Sequence, residues 1–89
     1  MHCQLGNLLM TALELLGATI RSHRKRLGLT QKQLAAKTGL DHTYISEVER
    51  GLRNLTAKSL FRIAAALHCT LSQLVQPLDD HAELTPPDK

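Results

Sequence analysis

The chain is nearly devoid of aromatic residues: its 89 residues include one Tyr, one Phe and no Trp. Strand-favouring valine is also scarce, whereas Leu and Ala are abundant and favour helix. The sequence therefore predicts an all-α fold. A chain of this length fits one compact domain, and such small domains often gain stability by forming a dimer.

Residues suited to catalysis or metal binding are equally sparse. Cys3 and Cys69 are the only cysteines, and neither lies at zinc-ligand spacing from a second Cys or a His pair. The sequence shows no nucleophile–base set, no paired carboxylates and no glycine-rich phosphate loop. We therefore expect no metal, no cofactor and no small-molecule substrate, and an enzyme is the least supported class of function.

The first 20 residues are apolar and almost uncharged, yet they lack the features of a targeting or membrane segment. A secretory signal begins with basic residues, whereas the first Lys or Arg here is Arg21. Polar side chains such as Asn7 and Glu14 interrupt any membrane span of about 20 residues. The sequence thus predicts a soluble, cytoplasmic protein with no membrane association.

Charge is distributed unevenly along the chain. Residues 21–53 contain eight Lys or Arg and three acidic side chains, which leaves a net charge of +5. The segment from Leu78 onward contains four acidic side chains and one Lys. A basic middle with an acidic tail is typical of a protein that binds a polyanion, although a solvated helical surface would give the same pattern.

Hydrophobic periodicity and capping residues predict five helices. The first should run from about Leu9 to Leu27, with an apolar stripe ended by a left-handed Gly28. Four later residues are candidate N-caps: Thr30, Asp41, Thr56 and Thr70. Helices are expected from Thr30 to about Lys37 and from about His42 to Arg50, and Pro77 is expected to stop the last one.

The second and third predicted helices have the spacing of a helix-turn-helix. Ala35 lets the two helices approach closely, and Gly39 allows the bend between them. Ile45 and Val48 should be buried. The outward face of the third helix should carry four polar side chains: His42, Thr43, Ser46 and Glu47. Short side chains on this face would let the helix lie deep in the major groove of DNA.

The segments LTQKQLAAKTG (residues 29–39) and YISEVERG (residues 44–51) resemble the lambda-repressor-like (XRE/Cro) helix-turn-helix family. The resemblance covers about residues 16–78 and implies a five-helix DNA-binding domain over residues 13–78. Residues 1–12 would be an N-terminal extension and residues 79–89 a flexible acidic tail. Residues 40–46 and 53–56 are also similar to the controller proteins of restriction–modification systems, which are small dimers that regulate their own operon.

The resemblance also implies individual roles. Gln31 would hold a phosphate through its side chain or its backbone N–H. Base edges would be read by His42, Thr43 and Ser46, with Glu47 at the margin. The DNA backbone or groove edge would be contacted by Tyr44, Arg50, Arg53 and Asn54. Arg24 and Glu49 resemble a family ion pair that braces the first helix against the third.

Two of these residues keep alternative interpretations. Controller proteins often have Arg where His42 stands, and since His makes a single, weaker base contact, the operator sequence does not carry over. His42 could instead be a solvated residue near the helix start. Glu47 could accept a hydrogen bond from cytosine, or it could repel phosphate and exclude wrong sites.

The sequence therefore predicts a homodimeric transcriptional regulator that binds double-stranded DNA at an inverted repeat. The dimer surface is expected on the fifth helix: Leu71, Leu74, Val75 and Leu78. The alternative is an antitoxin-like or other protein-interaction module, in which residues 5–16 and the fifth helix mask a partner. The sequence predicts neither the operator sequence nor an effector, and it does not indicate whether the protein activates or represses transcription.

Overall fold

The structure, a computed structural model, describes residues 10–80, and this part of the chain forms five helices. They are α1 (Ala12–Arg26), α2 (Gln31–Thr38), α3 (His42–Glu49), α4 (Ala57–Ala66) and α5 (Leu71–Asp80). The all-α prediction is confirmed. The predicted boundary at residue 78 falls inside α5, and most of the predicted extension and tail lies outside the described residues.

Side-chain caps define where each helix begins. The predicted caps Thr30, Asp41 and Thr56 each accept a hydrogen bond from a backbone N–H of the first turn. Thr70 forms the predicted capping box with Gln73. The first helix, predicted from about Leu9, begins at Ala12, because Thr11 is extended and caps α1 in a box with Glu14.

The first two helices end at the predicted glycines, whereas α4 ends without a glycine and α5 continues past its predicted stop. Gly28 and Gly39 have φ values of 73° and 75° and turn the chain in the left-handed conformation. Pro77, which was expected to stop the last helix, instead lies inside α5. Proline costs a helix interior about 3 kcal/mol. The packing of α5 on α1 and α4, with Leu74 fully buried, offsets that cost.

One core runs through all five helices. Its buried hydrophobic residues are Leu16, Ile20, Leu34, Ala35, Ile45, Val48, Ile63, Ala64, Leu67 and Leu74. Leu27, predicted as the end of the first helix, lies just after α1 and is 44% exposed. The prediction that Leu74 contributes to a dimer surface is wrong, since this side chain is already enclosed within a single chain.

Gly17 sets the distance between α1 and α3. A Cβ atom at this position would lie 2.3 Å from the carbonyl oxygen of Val48 and 2.6 Å from that of Glu49. The two helices therefore touch through their backbones at this point. This contact fixes the C-terminal end of α3 on the body of the domain.

Candidate nucleic-acid interface

α3 presents a polar face to solvent because its opposite face is anchored in the core. Ile45 and Val48 are buried, and the Asp41 carboxylate accepts a hydrogen bond from the backbone N–H of Thr43 (2.9 Å). His42 and Thr43 are exposed, and Ser46 and Glu47 are partly exposed. The side chains expected to face outward therefore do so.

One side of α3 is bordered by a cleft that we call the α2 cleft. Its lining residues are Arg24, Lys25, Gly28, Leu29, Thr30, Gln31, Lys32 and His42. The backbone N–H groups of Gln31 and Lys32 open α2, and the first N–H groups of a helix have no intrahelical partner. Together with the ammonium groups of Lys25 and Lys32, they give the cleft the chemistry of an anion site.

The other side of α3 is bordered by a second cleft, which we call the α4 cleft. Its lining residues are Leu40, Asp41, Thr43, Tyr44, Arg53, Asn54, Thr56 and Ser59. It brings together four residues that sequence analysis assigned to DNA, and it lies at the start of α4. The face of α3 thus lies between two clefts, each next to a helix N-terminus.

A buried network joins the α2 cleft to α3. The guanidinium of Arg24 binds the carboxylate of Glu49 through two hydrogen bonds, Nε to Oε2 (2.6 Å) and Nη2 to Oε1 (2.9 Å). Its Nη1 donates to the carbonyl oxygen of Leu29 (2.7 Å). The predicted ion pair between the first and third helices is therefore present, and it also holds the loop before α2.

Gln31 takes part in the same network. Its Nε2 donates to Oε1 of Glu49 (3.0 Å), so the amide is held against the end of α3. The phosphate contact predicted for Gln31 stays a prediction. The hydrogen bond shows that one amide proton is engaged and that the side chain has a fixed orientation.

Glu47, Arg53 and Tyr44 form a cluster on the opposite side of α3. Nε of Arg53 donates to Oε1 of Glu47 (2.7 Å), and its guanidinium carbon lies 5.2 Å from the centroid of the Tyr44 ring. Such a distance permits a cation–π contact. Glu47 therefore reaches the surface as half of an ion pair, which weakens the argument that its charge alone repels phosphate.

Arg50 is not brought together with the other candidates. It follows the last residue of α3, about 10 Å along the helix axis from Thr43. Its side chain is exposed, and its assigned contact with the DNA backbone stays a prediction.

The cleft linings also include residues that were not predicted to bind DNA, among them Lys25, Lys32, Thr56 and Ser59. Lys25 and Lys32 carried a signal as part of the basic segment. Thr56 carried a capping signal and lies in the 53–56 segment that resembles controller proteins, whereas Ser59 carried no signal. The hydroxyl of Thr56 accepts the N–H of Ser59 (3.0 Å).

Other types of site have little support in residues 10–80. No group of three or more His, Cys, Asp or Glu side chains there could hold a metal ion. No helix among these residues is long and apolar enough to cross a bilayer. Burial raises the pKa of the Cys69 thiol, which disfavours the reactive thiolate.

Comparisons with known proteins agree with the helix-turn-helix fold. A helix-turn-helix family model, HTH_3, matches residues 20–74. The HTH-type transcriptional regulator y4dJ of Sinorhizobium fredii is 37% identical over 67 residues, which span 75% of this chain and 87% of the relative. Control protein C.SmaI of Serratia marcescens is 42% identical over 62 residues, which span 70% of this chain and 74% of the relative.

A solved structure is similar over most of the described residues. It is the restriction–modification controller protein C.Esp1396I, a tetramer in complex with its natural 35 base-pair operator. That protein is 39% identical to this chain, with a TM-score of 0.69, and the match covers 78% of this chain and 91% of the other.

Proposed function

Because the chain belongs to the helix-turn-helix family, in its XRE or lambda-repressor-like form, we propose that it is a transcriptional regulator that binds double-stranded DNA through α3. The relatives are regulators and controller proteins, and one similar structure contains operator DNA. The proposal assigns the chain no catalytic reaction. Since DNA is the ligand, we place the activity in the cytoplasm.

The observation that carries this proposal is the position of α3 between the two clefts. A helix in the major groove has a phosphate strand on either side of it. In this arrangement the α2 cleft receives phosphates of one strand and the α4 cleft those of the other. Helix N-termini and basic side chains at both clefts suit that role.

Base reading is assigned to the exposed end of α3. Thr43 and Ser46 have short side chains that permit close approach to the base pairs, and the imidazole of His42 lies beside the α2 cleft. Arg53 and Asn54 are assigned to the DNA backbone at the α4 cleft, together with Tyr44. Base contacts give specificity, and phosphate contacts supply most of the affinity.

The proposed assembly on DNA is a homodimer at an inverted repeat. Two α3 helices about 34 Å apart would then enter successive major grooves on one face of the duplex. Three residues of α5 keep surface available for the partner subunit: Leu71, which is 39% exposed, and the half-buried Val75 and Leu78.

A narrower proposal is that the chain is a restriction–modification controller protein. The observation in its favour is the similarity to C.SmaI and C.Esp1396I, each matched over at least 70% of this chain. The relative y4dJ, whose name does not mention control of restriction–modification, is matched over a comparable length. A gene neighbourhood with a methyltransferase and a nuclease would support the controller role, and a neighbourhood without them would count against it.

The experiment that tests DNA binding uses the full chain and a pool of random-sequence duplexes. Duplexes enriched by the protein are titrated from about 50 to 200 mM salt, where several phosphate contacts predict a loss of affinity of about 10³-fold or more. Affinity that hardly changes with salt, or purification as a stable complex with another protein and no enriched DNA, would favour the protein-interaction alternative.

A further inference from the structure

The buried carboxylate of Glu49 accepts three hydrogen bonds, two from Arg24 and one from Gln31. Arg24 already contacts both carboxylate oxygens, and the Glu49 side chain is only 1% exposed. The third donor is the amide of Gln31, which comes from a different helix and from the lining of the α2 cleft. A buried carboxylate has room for such a further donor, and this one comes from the residue that opens α2.

The Gln31 amide has a second N–H that this bond does not use. A primary amide nitrogen carries two N–H donors. The Gln31 nitrogen makes one hydrogen bond, to Oε1 of Glu49 (3.0 Å). Gln31 is also the first residue of α2, so its backbone N–H lacks an intrahelical partner. One amide proton and one backbone proton of the same residue therefore remain for an anion in the cleft.

We propose that Glu49 is a positioning residue that holds the Gln31 amide in the orientation in which it binds a DNA phosphate. This inference rests on the proposed DNA-binding function. A free glutamine side chain loses rotamer freedom when it is fixed on a ligand. The bond to Glu49 imposes that loss during folding, before DNA binds, so the amide meets the phosphate already oriented.

The position of Glu49 also links the phosphate contact to base reading. Glu49 is the last residue of α3, the helix that carries Thr43 and Ser46. One carboxylate is therefore shared by the proposed phosphate contact at the start of α2 and the helix that carries the base-reading face. Arg24 completes the link, because it ties the same carboxylate to α1 and to the Leu29 carbonyl.

The test compares the effect of Gln31→Ala in two backgrounds of the full chain. The first is the unaltered sequence. The second is the double variant Arg24→Met and Glu49→Leu, which replaces the ion pair with apolar side chains of similar volume, a change that buried pairs often tolerate. The probe is a duplex enriched from a random pool by the unaltered chain, and thermal unfolding verifies that each variant folds.

In the unaltered background Gln31→Ala should weaken binding about tenfold, as expected for a hydrogen bond to a charged group. In the apolar background the same change should cost less than about twofold, since the amide is no longer oriented. Lys32→Ala is the matched control: Lys32 lines the same cleft without contacting Glu49, so its effect should be equal in both backgrounds.

An equal cost of Gln31→Ala in both backgrounds would overturn the positioning role while leaving the proposed function intact. If no duplex is enriched at all, the proposed function itself fails. Should the apolar variant not fold, Glu49→Asp replaces it, because the shorter side chain keeps the charge opposite Arg24 and withdraws the carboxylate from Gln31. The cost of Gln31→Ala should then also shrink, and an undiminished cost would reject the inference.

Discussion

The carbonyl oxygen of Val48 lies where a side chain on Gly17 would have to go, 2.3 Å from an added Cβ. Gly17 is in the interior of α1, where glycine is otherwise less favourable than alanine by about 1 kcal/mol. Glycine at this position therefore allows the close contact between α1 and α3, although it does not favour the helix that contains it.

The first prediction concerns this contact. Gly17→Ala should lower the free energy of unfolding by about 1–3 kcal/mol, because overpacking against backbone outweighs the gain in helix propensity. Ser22→Ala, at an exposed position of the same helix, should change it by less than about 0.5 kcal/mol. Urea denaturation measures both. An increase in stability for Gly17→Ala would show that the two helices can separate at little cost.

The second prediction concerns His68, the only residue other than glycine with a positive φ (57°) in the described range 10–80. It follows the C-cap of α4, where the N–H of Cys69 bonds to the carbonyl of Ala64 (3.0 Å) in the pattern that favours glycine. His68→Gly should therefore raise the free energy of unfolding by about 0.5–1 kcal/mol.

His68→Ala is the control for that change. Alanine removes the imidazole but keeps the Cβ that disfavours the left-handed conformation, so it should give no gain. If Gly and Ala raised the free energy of unfolding equally, the imidazole and not the backbone conformation would be what lowers the stability of the unaltered chain.

The third prediction concerns the buried ion pair. Arg24→Met alone should destabilise the domain by about 3–5 kcal/mol, because it leaves the Glu49 carboxylate buried without its cation. Adding Glu49→Leu should recover most of that loss. Chemical denaturation of the two variants provides the comparison. If the double variant is as unstable as the single one, packing around these side chains matters more than their charge.

The fourth prediction separates base reading from phosphate contact. Thr43→Ala should change the preference among enriched duplexes by about 1–3 kcal/mol at one base position. Arg53→Ala should weaken binding to all duplexes more evenly. Arg62→Ala, at an exposed position of α4 outside both clefts, should leave affinity nearly unchanged. Competition titrations against a panel of duplexes measure the three variants, and identical profiles for Thr43→Ala and Arg53→Ala would refute the division of roles.

Features that depend on neighbouring residues were predictable from the sequence. The side chains of Thr30 and Gln33 each accept a hydrogen bond from the other residue's backbone N–H. This capping box lies within one helical turn, so it can be predicted without knowledge of tertiary contacts. The turn at Gly39 and the inward positions of Ile45 and Val48 follow from local conformation and helical period in the same way. These elements determine which side chains of α3 face outward, and that part of the candidate site was predicted correctly.

Most features that depend on distant residues were not, although the family resemblance did imply the ion pair between Arg24 and Glu49. Pro77 lies within a helix because α5 packs on α1 and α4. The rule that proline stops a helix considers only neighbouring residues and does not include this packing. Leu74 fits a dimer stripe by spacing, yet the chain's own core encloses it. The bond between Gln31 and Glu49 joins residues 18 positions apart, so only the packing of α2 against α3 reveals it.

Hydroxyl-radical footprinting of the full chain on an enriched duplex would show whether α3 enters the major groove with a phosphate strand in each flanking cleft. We expect two protected segments whose centres lie about 10 base pairs apart on one face of the DNA. Both should disappear when Arg53 and Lys32 are changed to Ala. Binding without such periodic protection, or a footprint that survives the double change, would contradict this placement of α3.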